Sequence, residues 1–171
     1  SLMYEGEFKE GKRHGQGNFY EDGILKYEGE FNHGYPNGQG IIYYEDGEWY
    51  EGELKNMNID GRGKLYSNGT LCYEGEFKNS KFDGQGKLYE GILCYEGEFK
   101  NGMFDGQLKI YKNGTLKCEG EFKENKLDCQ LKIYKDTFEG EFKNRKFYNV
   151  NLNSFLFSVA SVFLFYYWHD T

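Results

Sequence analysis

The chain has 171 residues, enough for one ordinary domain or a short array of small units. Its 24 glycines against a single proline exclude collagen-like and proline-rich disordered chains, and 19% aromatic residues leave too much apolar surface for disorder. A net charge of -7 argues against nucleic acid, whose phosphates call for clustered Lys and Arg. The opening Ser1-Leu2-Met3-Tyr4-Glu5 turns acidic at once, so no secretory leader is expected there.

The chain repeats itself, and the repeat outweighs every other signal. An aromatic-Glu-Gly-Glu-aromatic/aliphatic pattern begins at Tyr4, Tyr27, Tyr50, Tyr73 and Tyr95, and again, with altered first residues, at Cys118 and Phe138. Gly15, Gly38, Gly61, Gly84 and Gly106 follow each of the first five starts, and Gly17, Gly40, Gly63 and Gly86 come two residues later in the first four units. Each unit then reaches an apolar-Tyr pair such as Phe19-Tyr20 or Leu65-Tyr66. Closing turns are expected at Asp22-Gly23, Asp46-Gly47, Asn68-Gly69, Glu90-Gly91 and Asn113-Gly114.

Alternation within a unit has period two, which predicts strands. In Tyr4-Glu5-Gly6-Glu7-Phe8, one face carries Tyr4, Gly6 and Phe8 and the other the two glutamates. A second run, Gly15 to Tyr20, returns across the polar link Glu10-Gly11-Lys12, so each unit reads as a β-hairpin. The expected fold is all-β: an elongated single-layer antiparallel meander of about seven hairpins over residues 1–150, with a hydrophobic C-terminal segment, 151–171, expected to be helical and to cap it. Glycine weakens a strand unless a neighbour covers it, so the aromatic rings are expected to lie over glycines of adjacent strands. Two rows of glutamate, Glu5 with its equivalents and Glu7 with its equivalents, occupy the opposite face. Equivalent residues recur every second strand, about 10 Å apart, which is too far for shared metal ligation. Cross-strand Glu–Lys pairing on a solvated face is expected instead.

The stretch Tyr4-Glu5-Gly6-Glu7-Phe8-Lys9-Glu10-Gly11-Lys12-Arg13-His14-Gly15-Gln16-Gly17 resembles a MORN (membrane occupation and recognition nexus) repeat, and the likeness extends over about residues 4–147. The resemblance implies an elongated, twisted sheet used as an interaction module, in scaffolds at membranes or cytoskeleton or beside catalytic domains. Toward the C-terminus the pattern decays to Gly106-Gln107-Leu108 and Cys129-Gln130-Leu131, as terminal, capping repeats do.

Residues 155–168 are apolar apart from Ser158 and Ser161. Fourteen helical residues span about 21 Å, short of a bilayer core. Three roles stand open for this tail: a cover over the sheet, an anchor in membrane or another protein through Phe155, Phe163, Phe165 and Trp168, or a segment cut from its partner. The cover is favoured, because an open sheet edge needs protection.

Cys72 and Cys94 fall one repeat apart, beyond disulfide reach, and no C-x-x-C occurs; reduced thiols and a cytoplasmic setting, peripheral to a membrane at most, are expected. His14, His33 and His169 suit no catalytic triad, and no metal, cofactor or small-molecule substrate is expected. The leading expectation is a non-catalytic scaffold or adaptor that binds a protein partner, or a second copy, through an exposed aromatic-glycine face: Tyr27, Phe31, Tyr50, Tyr73, Phe77, Tyr95 and Phe99. Its alternatives are a tether on membrane lipid and an accessory module of a larger enzyme, such as a SET-domain methyltransferase or a lipid kinase.

Overall fold

The computed structural model describes residues 1–127, 131–134 and 139–142. Its strands are β1 (Leu2–Lys9), β2 (Lys12–Glu21), β3 (Ile24–Asn32), β4 (Tyr35–Tyr43), β5 (Glu48–Lys55), β6 (Asn58–Ser67), β7 (Thr70–Lys78), β8 (Lys81–Glu90), β9 (Leu93–Lys100), β10 (Met103–Lys112), β11 (Thr115–Lys123), β12 (Lys126–Leu127), β13 (Leu131–Tyr134) and β14 (Glu139–Phe142). All pairings are antiparallel. From β1 to β11 the strands lie side by side in chain order, β13 and β14 continue the row, and β12 pairs with β11. This is the open meander expected from the repeat. The seventh unit beyond Phe142 and the segment 151–171, with Phe155, Phe163, Phe165 and Trp168, lie outside the described residues.

The turns follow from local chemistry. Glu10-Gly11, His33-Gly34, Asn56-Met57, Asn79-Ser80, Asn101-Gly102 and Glu124-Asn125 each place two successive residues at positive φ. That is the type I′ geometry whose twist matches the flanking strands. On the other edge, Asp22-Gly23, Asn68-Gly69 and Asn113-Gly114 do the same. Two closing turns differ from expectation. Residues 44–47 make a longer loop with a single 3₁₀ turn, Glu45–Gly47. The fourth turn is Gly91-Ile92 rather than Glu90-Gly91, since Glu90 still pairs with Leu93. It also lacks the extra residue that bulges Lys26 out of β3 and Cys72 out of β7. That missing residue accounts for the 22-residue step from Tyr73 to Tyr95, between steps of 23 on either side.

In the first four hairpins the ladder runs in register to a glycine pair, and in β9–β10 to Gly97 opposite Leu108, and then breaks. In β3–β4, Gly29 opposes Gly40 and Phe31 opposes Pro36, so three residues of β4 face Glu30 alone. The break recurs in β1–β2, β5–β6, β7–β8 and β9–β10. So large a bulge bends the second strand sharply. The bend is built on Gly38, Gly61, Gly84 and Gly106, whose φ of +104° to +125° suits glycine alone. Inner-half residues of the second strand (Pro36, Ile59, Phe82, Phe104) are thereby carried over the aromatic row, and all are buried.

The first-strand tyrosine is the hub. The Tyr27 ring occupies the space that a Cβ on Gly40 would need, and its hydroxyl reaches across Gly29 to donate to the Glu30 carbonyl at 2.8 Å. Tyr50 and Tyr73 repeat the arrangement, donating to Glu53 and Glu76 carbonyls at 3.0 Å. All three tyrosines are fully buried. Around them pack Phe31, Phe77 and Phe99, edge-on to the tyrosine of the preceding unit at 4.9 to 5.4 Å. The core is therefore one continuous stripe that the sheet encloses with its own bent strands.

Substituting Gly63→Ala drives a methyl into the Tyr50 ring. It is expected to lower stability by about 2 kcal/mol in urea unfolding, within the range of overpacked cores. Gly69→Asn, in an open turn, is expected to stay within about 0.5 kcal/mol. Burial pushes the phenols of Tyr27, Tyr50 and Tyr73 upward, and that of Tyr95 up to about 12. Protons are thus held more tightly in the folded chain than in the unfolded one, where tyrosine titrates near 10. Stability is complete below about pH 10 and declines as the pH climbs toward about 12. Ionisation of these four buried phenols should coincide with the loss of circular dichroism, and their ionisation without unfolding would contradict this core.

Candidate functional site

The seven aromatic residues expected to form an exposed binding row are not exposed. Tyr27, Tyr50 and Tyr73 are 0% accessible, and Phe31, Phe77, Tyr95 and Phe99 are 3 to 6% accessible. The expectation rested on a single-layer sheet being unable to bury both of its faces. The glycine-centred bends instead fold each hairpin over its own aromatics, so the row is the core, and the available surface is the opposite, glutamate-bearing face.

On that face the two glutamate rows do different work. The second row belongs to the bend. Glu7, Glu30 and Glu53 accept the backbone N–H of Gln16, Gln39 and Arg62 at 2.9, 3.0 and 3.2 Å. Their carboxylates fill the space where Gly15, Gly38 and Gly61 would carry a Cβ. The expected role in solvated cross-strand pairing is therefore corrected for these three, which satisfy N–H groups that the bulge has removed from the ladder, while Glu76 of the same row keeps a cross-strand ion pair with Arg62 at 3.6 Å.

The first row faces outward. Lys64 and Lys87 stand in register with Glu51, Glu74 and Glu96, as expected, and Lys87 lies 3.7 Å from Glu96. The second-strand tyrosines join them. Tyr43 donates to Glu28 at 2.6 Å and Tyr89 to Glu74 at 2.7 Å. Burial first, then the Glu28 bond, pushes the Tyr43 phenol up to about 12. Where the third of these tyrosines, Tyr66, would meet Glu51, it stacks on Trp49 at 4.7 Å instead.

Between these side chains runs a trough of about 510 Å³ crossing β4 to β9. Gly52, Gly63, Gly75 and Gly86 floor it with backbone, the space for a side chain at each being taken on the inner face by the rings of Tyr50 and Tyr73. Its walls carry Glu51, Glu74 and Glu96 against Arg62, Lys64 and Lys87, with Gln39 and Gln85 beside them. Opposite charges thus alternate along a walled path several repeats long. Sequence reading missed the trough, although its signal was present in the Gly-x-Gly pairs flanked by Gln or Arg and Lys.

No group of three or more His, Cys, Asp or Glu among the described residues is arranged to hold a metal ion. Cys72 and Cys118 are buried, Cys94 half-buried, and none of the three is in a disulfide. Burial raises each of these thiols, which is the opposite of nucleophile activation.

Stacked hairpins that touch only their neighbours, with a surface trough spanning several of them, define a repeat-protein interaction module. The family model for the MORN repeat matches residues 4–24, 27–49, 50–71, 73–89 and 95–107. The chain belongs to the MORN-repeat family. No curated protein matches it.

Removing the Glu30 carboxylate (Glu30→Ala) leaves the Gln39 N–H without its acceptor. The change is expected to destabilise the chain by about 1 kcal/mol in chemical unfolding. Glu51→Ala, on the outward row, is expected to fall within about 0.5 kcal/mol of the parent.

Proposed function

We propose that the chain is a non-catalytic scaffold or adaptor that binds a segment of a protein partner along the glycine-floored trough. The observation that carries this reading is the charge pattern: three acidic and three basic side chains alternate over β5 to β9. An anionic membrane or a nucleic acid is recognised by a cluster of one sign, whereas a mixed-charge peptide matches alternating signs. The half-buried Trp49–Tyr66 stack on the same face adds an amphipathic aromatic contact of the sort that anchors protein interfaces. A cytoplasmic location suits three unpaired thiols.

The test places a photo-crosslinking residue at Gln85, in the trough, and separately at the exposed Lys55, outside it, in cells that express the full chain. A discrete protein adduct from position 85, absent from position 55, is the expected result. The pair Arg62→Glu and Lys87→Glu should reduce that adduct at least tenfold without moving the urea midpoint. Equal adducts from both sites, or indifference to charge reversal, would refute the trough. Flotation with anionic vesicles that is lost on Phe163→Ser with Trp168→Ser would instead establish the membrane-tether reading.

A further inference from the structure

On the outward face, three units join a first-row glutamate to a second-strand tyrosine. Tyr20 donates to Glu5 at 3.4 Å, Tyr43 to Glu28 at 2.6 Å and Tyr89 to Glu74 at 2.7 Å, each tyrosine following its glutamate by 15 residues. Tyr66 stands at the same separation from Glu51 and makes no such bond. Its ring lies on Trp49 instead, with centroids 4.7 Å apart and planes 11° from parallel. The cause is one change in the repeat. Trp49 holds the position that Leu25, Leu71 and Cys94 hold in the neighbouring units, each opposite the tyrosine of the preceding strand. Only an aromatic side chain there offers Tyr66 a face to stack on.

Glu51 is thereby left as an exposed carboxylate with no hydrogen bond and no ion pair among the described residues. Glu96, whose tyrosine is also not bonded to it, has Lys87 at 3.7 Å. Across the sheet Glu51 faces Ile41 on β4 and Lys64 on β6. Trp49 precedes it by two residues in the same strand, so the carboxylate adjoins the half-buried ring pair on one face. These surroundings match a guanidinium group. The carboxylate accepts its fork of N–H donors, an aromatic ring receives its plane, and Ile41 offers apolar surface to its aliphatic stem. An ammonium has no plane to stack and holds its water more tightly.

We propose that Glu51, with Trp49 and Tyr66, is the seat for an arginine side chain of a protein partner. The assignment rests on the reading of the trough as a protein-binding surface, because Glu51 forms part of its wall. It supplies what alternating charge alone lacks. A strip of alternating signs is matched equally well after a slide of two strands, about 10 Å. An arginine held at the one unit that carries Trp49 fixes the partner in a single register.

The probe is acetyl-Gly-Arg-Gly-amide, titrated into the full chain while the Trp49 indole and Glu51 amide signals are followed by NMR. A saturable shift in the millimolar range is expected, roughly fivefold tighter than with Lys in place of Arg. Citrulline, which keeps the shape and loses the charge, should bind roughly tenfold more weakly or worse. Trp49→Leu restores the leucine of neighbouring units, so the fold is retained, and it frees Tyr66 to reach Glu51. That variant and Glu51→Gln should each weaken arginine binding roughly fivefold or more. Glu74→Gln, whose carboxylate already accepts Tyr89, should leave it unchanged. Equal binding of arginine and citrulline, indifference to Glu51→Gln, or an equal loss in Glu74→Gln would each overturn the seat. Tighter binding of phosphocholine than of the arginine peptide would give the rings to a lipid headgroup and overturn it as well. The crosslink from position 85 separates this inference from the trough itself. An adduct that survives Trp49→Leu undiminished keeps the trough and removes the seat, whereas arginine binding without any adduct refutes the trough and leaves the seat standing.

Discussion

Everything in this fold depends on a tyrosine ring lying where two glycines have left room for it. The ring needs both absences. One glycine, on its own strand, lets the hydroxyl turn back to a carbonyl three residues on, and the other, on the partner strand, admits the ring itself. With the ring in place, the ladder cannot continue straight past the glycine pair, and three residues of the second strand bulge out opposite one. The bulge bends the hairpin, the bend closes it over the tyrosine, and the glutamate across the bulge binds the N–H that the bend exposes. Packing, curvature and polar satisfaction are one event, repeated down the chain.

That dependence explains why a single sheet forms a core at all. A two-stranded unit cannot bury an aromatic face alone, and a flat meander of such units would leave it in water. Here every unit contributes half of each enclosure: its tyrosine receives the next unit's Phe or Leu, and its second strand accepts the next unit's inner turn. Stability is therefore shared at the joints between neighbours, and contacts stay close in sequence, which favours rapid, local folding.

The repeat, the strands, most turns and the meander could be read in the chain because each rests on local chemistry: period-two alternation, Asn-Gly and Asp-Gly turns, and a fixed spacing from Tyr to Gly. The ring-over-glycine packing was legible as well. The fate of Tyr27, Phe31 and their equivalents was not. Alternation says which residues share a face, but not whether that face is flat or folded. The fold depends on an asymmetric bulge that the sequence expresses only as an unremarkable Gly-Gln-Gly. The same bulge hid the role of Glu7, Glu30 and Glu53, which look like solvated charges until the N–H groups they accept have been displaced. The trough is the outer aspect of the glycine pairs whose inner aspect holds the tyrosines, so one misreading concealed both.

The order of strands in the sheet is the order of strands in the chain, with each hairpin zipped only to the ones before and after it. A load applied between β1 and β11 acts on ladders that open one pair of bonds at a time, rather than shearing many at once. Hairpins can peel away singly under small force, each releasing about twenty residues of slack, while the remaining joints keep their register. Such an array is a graded mechanical linkage: it lengthens in steps and rewinds from whichever units remain.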